Sequence, residues 1–158
     1  PQHTYQLLTK RAERMAEYFS SRLIPQNVWL GVTVEDTLTK YRIDFLRNLS
    51  AQVKFLSCEP LLCDLGELDL EGVDWIIVGG ESGPIARPMK EEWVLNIKRQ
   101  AEQKSIPFFF KQWGTWSKEG VKGNKKKNGK LLQGEVIQQM PKVVHENFRN
   151  KDQTKFWE

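Results

Sequence analysis

Ionisable side chains follow each of five short apolar runs in the sequence. The runs cover residues 5–9, 29–34, 53–58, 75–78 and 107–110. Carboxylates and ammonium groups at one place can transfer protons, and they can bind a ligand that carries both an amine and a carboxylate. The catalytic candidates are Lys10, Glu59 and Lys111. The candidates for binding a cofactor or substrate are Glu35, Gly79, Gly80, Glu81, Ser82 and Gln112. The alternative explanation is that these charges only solvate the ends of the strands.

A glycine-rich segment, residues 79–84 (GGESGP), follows the fourth run. Glycines there allow the backbone to approach a ligand closely and expose amide donors. The spacing matches neither the dinucleotide motif nor the P-loop motif, so it does not by itself indicate a nucleotide. Arg87 lies just beyond and could add a positive charge. A tight turn that requires a positive φ is the other explanation.

The apolar runs predict β-strands, and the segments between them predict helices. Most runs are nearly continuous, as in a parallel sheet that is buried on both faces. Apolar stripes with helical spacing occur over residues 11–24, 37–49 and 91–104, and they include Leu23 and Leu38. Residues 60–72 lack such a stripe and predict an irregular connection. The alternation predicts an α/β protein with a parallel sheet.

Five βα units are too few for a closed eight-stranded barrel, and we expect them to form the C-terminal part of a TIM-like barrel. A doubly wound open sheet is the alternative. We expect the partial barrel over residues 1–117, a flexible Lys/Gly loop over 118–130, and a hairpin and short helix over 131–158. The chain starts at Pro1 close to the first predicted strand, which suggests a fragment.

Composition limits the possible classes of protein. No apolar run approaches the roughly 20 residues needed to span a bilayer, so we expect no membrane association. Cys58 and Cys63 are too few for a disulfide scaffold, which favours a cytoplasmic location, and no metal site is expected. The net charge is +4, but residues 118–130 hold six lysines and one glutamate. This lysine-rich segment is expected to be a solvated connector, with nucleic-acid binding as the less favoured alternative.

Five strings taken together resemble a known family. They are HTYQLLTKRAERM, NVWLGVTVED, VKFLSCEPLL, VDWIIVGGESGPIARPM and PFFFKQWGTW. In this order they resemble the strand-and-rim motifs of the phage-associated "Gp thirty-seven / Gp sixty-eight" protein family, whose members are related to radical-SAM barrels. The resemblance covers residues 3–116, and the segment KLLQGEVIQQMP is similar to that family's C-terminal extension.

The resemblance implies S-adenosylmethionine and a [4Fe–4S] cluster for the full-length family. It places the cysteine motif for the cluster upstream of the region present here, and three closely spaced thiolates are missing from this sequence. We therefore expect a C-terminal portion of a radical-SAM-like protein that lines a polar pocket and runs no radical chemistry alone. The polar parts of S-adenosylmethionine or the substrate are expected near Glu35, Glu59 and Glu81.

Two other functions remain open from the sequence. The chain could be a phage accessory module that binds nucleic acid through residues 118–130, with Trp113 and Trp116 stacking on bases. It could also depend on a partner, because the edge strands of a partial barrel are exposed. That partner would be an N-terminal segment or a second copy that completes the barrel.

Overall fold

The fold is a mixed α/β arrangement around one parallel sheet, and the computed structural model describes residues 2–143. The sheet strands are β1 (Tyr5–Thr9), β2 (Val28–Thr33), β3 (Lys54–Cys58), β4 (Trp75–Gly79) and β5 (Phe108–Gln112). The helices are α1 (Ala12–Phe19), α2 (Arg42–Arg47), α3 (Glu91–Gln103) and the short α4 (Lys125–Asn128), with a 3-10 turn at Thr37–Thr39. A small antiparallel hairpin joins β6 (Leu131–Leu132) and β7 (Glu135–Val136). The predicted α/β class with a parallel sheet is confirmed.

The strands lie in sequence order, β1-β2-β3-β4-β5. A doubly wound sheet reverses its strand order at a switch point, so that alternative does not describe this sheet. Within residues 2–143 the sheet stays open and does not close into a barrel. At the β5 edge, residues 137–139 run alongside the strand: Phe110 N donates to Ile137 O at 2.7 Å and Gln139 N donates to Phe108 O at 3.1 Å.

The two faces of the sheet have different cores. One face packs against α1, α2 and α3 in a large cluster that includes Leu30, Leu56, Ile76, Val94 and Ile97. The opposite face carries a smaller aromatic cluster, to which none of the described helices contributes. There Trp75 packs edge-on against Trp29 and Phe109, with ring centroids 6.1 and 5.8 Å apart. We call this second surface the helix-free face.

The first two predicted helices are shorter than their apolar stripes suggest. Helix α1 ends at Phe19, where Ser20 bonds back to the carbonyl of Glu17, and Leu23 is consequently 97% exposed. Between residues 37 and 49 the Asp36 carboxylate accepts from Thr39 N and caps a 3-10 turn, so α2 begins only at Arg42. Leu38 is therefore exposed. In both segments, side chain to backbone bonds compete with the helix.

Strand β1 corrects the expectation of a sheet buried on both faces. Within residues 2–143 it pairs with β2 alone, and the side chains of Tyr5, Leu7 and Leu8 are exposed. An edge strand has a neighbour on one side only, so apolar composition alone does not bury it.

Further expectations concern the connection over residues 60–72, the C-terminal helix and membrane-spanning helices. Residues 60–72 contain no helix or strand, as predicted. The predicted C-terminal helix lies almost entirely outside the described residues. None of the described helices has the length and apolar character needed to cross a bilayer.

Candidate functional site at the carboxyl edge of the sheet

The carboxyl ends of all five strands lie along one edge of the sheet, because every strand pair is parallel. We call this edge the rim. The nine candidate residues lie at or within four residues of these strand ends. The structure places them in three groups of contacts.

The first group joins β3, β5 and the turn after β4. Lys111 Nζ donates to Glu59 Oε2 at 2.9 Å. Gln112 Nε2 lies 3.4 Å from Glu59 Oε1 and 3.3 Å from Ser82 Oγ. The amide of Gln112 is buried, so it holds the carboxylate and the hydroxyl in a fixed arrangement. Four candidates from distant parts of the chain thus come together.

The two glycines at the end of β4 have structural reasons to be glycines. A Cβ on Gly79 would lie 3.1 Å from Glu59 Oε1, and a Cβ on Gly80 would lie 1.9 Å from the carbonyl oxygen of Trp113. Neither glycine has a positive φ, which in this segment occurs at Gly83. Close packing against backbone atoms therefore explains Gly80 without a ligand, whereas Gly79 contacts a movable carboxylate.

The second group lies at the ends of β1 and β2. Lys10 Nζ donates to Glu35 Oε1, and Arg42 Nη1 lies 3.6 Å from Glu35 Oε2. Arg42 also donates to the carbonyl of Thr33 at 2.8 Å. The sequence reasoning missed Arg42. Its position at the start of α2 could have indicated that it belongs to the site, because the first turn of a helix that follows a parallel strand lies near the carboxyl end of that strand.

The third group is the ion pair of Glu81 and Arg87. The guanidinium of Arg87 donates to both carboxylate oxygens of Glu81 at 2.9 Å. The backbone N–H of Arg87 also donates to Glu81 Oε2, at 2.8 Å. These bonds, together with a smaller effect from the charge of Lys10, lower the pKa of Glu81 to about 2. The hydrogen bonds to Glu81 are the main reason that the pKa of Arg87 is raised, and the charges of Glu35 and Asp36 also raise it. The second and third groups are therefore electrostatically coupled.

A cavity of about 460 Å³ opens on the helix-free face next to the first group. Its apolar walls include Leu8, Phe55, Ile77 and Phe109, and its polar lining comes from Gln6, Ser57, Glu59, Lys111 and Gln138. We call it the sheet cavity. Its volume falls within the range typical of small-molecule sites.

The residues present do not fit a [4Fe–4S] cluster. Burial raises the pKa of the Cys58 thiol to about 12, so this group stays protonated and is a poor metal ligand. Cys63 is the other cysteine, and two thiols are fewer than a cluster needs. Across residues 2–143, no three His, Cys, Asp or Glu side chains form a group that could hold a metal ion.

The two tryptophans after β5 are engaged with the protein. Trp113 is 2% exposed and its indole N–H donates to Leu131 O at 2.8 Å. The indole N–H of Trp116 donates to Ala86 O at 2.6 Å. Trp113 is too buried to stack on a base.

Comparison with known proteins places the chain in a family. No curated protein and no solved structure matches it. The model of one family, described as a protein of unknown function (DUF5131), matches residues 1–141. Because this match covers most of the chain, the protein belongs to the DUF5131 family.

Proposed function

We propose that the chain is the ligand-binding, C-terminal portion of a radical-SAM-like partial barrel from a phage-associated protein, and that the sheet cavity binds its ligand. The observation that carries this proposal is the Glu59–Lys111 ion pair in the lining of a cavity that also has apolar walls. The sequential order of five parallel strands supports the relation to a barrel, in which successive strands are neighbours.

The lining of the cavity favours a ligand with a body that packs on apolar side chains and a head that carries an amine and a carboxylate. Ile77 and Phe109 provide apolar surface for the body. Glu59 would bind the amine and Lys111 the carboxylate through charge-assisted hydrogen bonds. S-adenosylmethionine has both head groups, and it is the ligand that the resemblance implies.

The Glu59–Lys111 pair can exchange its internal contact for a ligand. The side chain of Lys111 is 50% exposed. Exposed ion pairs typically contribute only about 0–1 kcal/mol to stability, so two new charge-assisted bonds can replace the contact at little cost. Gln112 and Ser82 would keep the Glu59 carboxylate in place during the exchange.

In this proposal the chain supplies binding groups and groups for proton transfer. Lys10, Glu59 and Lys111 are the acid and base candidates, while Glu35 and Glu81 are each held by an arginine. A [4Fe–4S] cluster does not fit the chain, so the chain alone would run no radical chemistry. The two free thiols suit a reducing compartment, and we propose a cytoplasmic location.

Isothermal titration calorimetry with S-adenosylmethionine and with methionine tests the proposed ligand class. We expect saturable binding of S-adenosylmethionine and weaker binding of methionine, which lacks most of the body. Glu59→Gln and Lys111→Met should each weaken binding by about tenfold or more, because each removes a charge-assisted bond.

Lys98→Met and Glu102→Gln are matched controls. They remove an ion pair of the same type on α3, which lies on the other face of the sheet. Neither control should change the affinity. If neither compound binds, the proposed ligand class is contradicted. It is also contradicted if the control variants lose as much affinity as Glu59→Gln and Lys111→Met.

A second candidate function is a partner-dependent module, and the exposed β1 strand favours it. A groove beside β1 is lined by the apolar side chains of Leu7, Met15, Tyr18 and Phe19. An N-terminal segment or a second copy could pair with this edge and complete the sheet. Light scattering during size-exclusion chromatography tests the second copy: Leu7→Lys should reduce self-association, whereas Val136→Lys on the exposed hairpin should not. A monomer at all concentrations would contradict pairing between copies.

A further inference from the structure

A second cavity, of about 470 Å³, lies beneath the lysine-rich segment after β5. We propose that it binds the phosphate groups of a small phosphorylated ligand. We call it the lysine cavity. Its lining includes Lys118, Lys122 and Lys127, together with Trp113, Val121 and Leu131.

The backbone around the lysine cavity is fixed at several points. Asn128 Nδ2 donates to the carbonyls of Gly114 and Thr115 at 3.0 and 2.9 Å. Gly123 N donates to Thr115 O at 2.7 Å, and Trp113 N donates to Gly129 O at 3.2 Å. A site that is formed before binding loses less conformational entropy when a ligand arrives.

The charge of the cavity favours an anion. Three lysines line it and Glu119 is the one acidic group among its described lining residues. Glu119 lies 3.8 Å from Lys118, and a hydrogen bond from Ser117 lowers the pKa of its carboxyl. That carboxylate offsets one positive charge, so two remain.

Two of the three lysines have hydrogen-bonding capacity to spare. Lys122 Nζ donates to Pro84 O at 2.7 Å. Two of its three ammonium protons are left to donate to a ligand. Lys127 makes no side-chain hydrogen bond or ion pair with any residue in the range 2–143. A phosphate offers several acceptor oxygens, and ammonium groups bind it through charge-assisted bonds.

The shape of the site favours a small ligand over a nucleic-acid strand. Single-stranded nucleic acids gain much of their affinity by stacking bases on exposed aromatic rings, and Trp113 is buried. The volume is that of a small-molecule site. Thr115 N donates to Glu81 O at 2.9 Å, so the segment that leads from β5 to the cavity is hydrogen-bonded to the rim.

Calorimetric titration with inorganic pyrophosphate, in 20 mM and in 200 mM sodium chloride, tests the proposal. We expect one saturable site, and a loss of about tenfold in affinity for Lys127→Ala and for Lys122→Ala, because each removes a charge-assisted contact. Lys130→Ala is the matched control: it removes the same charge from the same segment, but Lys130 contacts Gln138 and does not line the cavity. In 200 mM sodium chloride the affinity of Lys130→Ala for pyrophosphate should stay within about twofold of the wild type, because salt screens a charge that makes no direct contact with the ligand.

Thermal unfolding of each variant separates loss of the site from loss of the fold. If Lys127→Ala is unstable, Lys127→Gln serves as the second variant and should weaken binding to a similar degree. Equal losses for Lys127→Ala and Lys130→Ala would indicate nonspecific charge attraction and overturn the proposal. Absence of saturation by pyrophosphate, or binding of a labelled oligonucleotide without binding of pyrophosphate, would overturn it as well.

Discussion

Glu59 reaches across the end of β4 to bond with Lys111 on β5, and its carboxylate packs against Gly79. The two residues are 52 positions apart, and their strands are separated by β4, yet Lys111 Nζ and Glu59 Oε2 lie 2.9 Å apart. A Cβ on Gly79 would lie 3.1 Å from the other carboxylate oxygen. The Glu59 carboxylate in the sheet cavity therefore packs closely against a position without a side chain.

A double-mutant cycle of Glu59→Gln and Lys111→Met should give a small coupling energy. We expect about 0.2–1 kcal/mol in urea unfolding, decreasing in high salt, because Lys111 is half exposed. A coupling above about 2 kcal/mol would contradict the proposed exchange of this contact for a ligand.

Substitution of the two neighbouring glycines should have very different costs. In Gly80→Ala the new Cβ meets the backbone carbonyl of Trp113 at 1.9 Å, and we expect a loss of about 3 kcal/mol or more in the free energy of unfolding. In Gly79→Ala the Cβ meets the movable carboxylate of Glu59, so the loss should stay below about 1 kcal/mol. Denaturant titration of both variants measures the difference. Similar losses in both would show that the close approach at Gly80 is relieved by backbone movement.

The Glu81–Arg87 pair should make stability depend on acid pH. The pKa of Glu81 is about 2 in the folded chain and 4.5 ordinarily, so the unfolded state binds more protons between these values. The contribution of this pair is present above about pH 4.5 and is lost as the pH falls toward 2. Unfolding measured from pH 7 to pH 2.5 should show this loss in the wild type. Glu81→Gln and Arg87→Gln should each have a flatter dependence over this range, and curves parallel to the wild type would contradict the assignment.

The two cysteines should react with a thiol reagent at different rates. Burial raises the pKa of Cys58 to about 12, and its side chain is inaccessible, whereas Cys63 is partly exposed. At pH 8 we expect Ellman's reagent to label one thiol of the native chain rapidly. Cys63→Ser should abolish this rapid labelling, and both thiols of the wild type should react in urea. Rapid labelling that persists in Cys63→Ser would contradict the burial of Cys58.

Local sequence patterns determined the strands and the group of residues at their ends. Continuous apolar runs predict buried parallel strands, and the bounds of β1 match the predicted run. Because the strands are parallel, the residues that follow them share one edge, so the sequence was sufficient to place Lys10 and Glu35 near each other.

The tertiary structure decided which of these residues pair and what the glycines do. The Glu59–Lys111 contact depends on strand order, which no local pattern contains, and the packing of Glu59 against Gly79 follows from it. The ends of α1 and α2 depended on bonds from Ser20 and Asp36 that compete with the helix, so periodicity alone overestimated their length. The lysine cavity was also beyond the sequence: its lining residues all lie between positions 113 and 134, but only the folded backbone encloses a cavity among them.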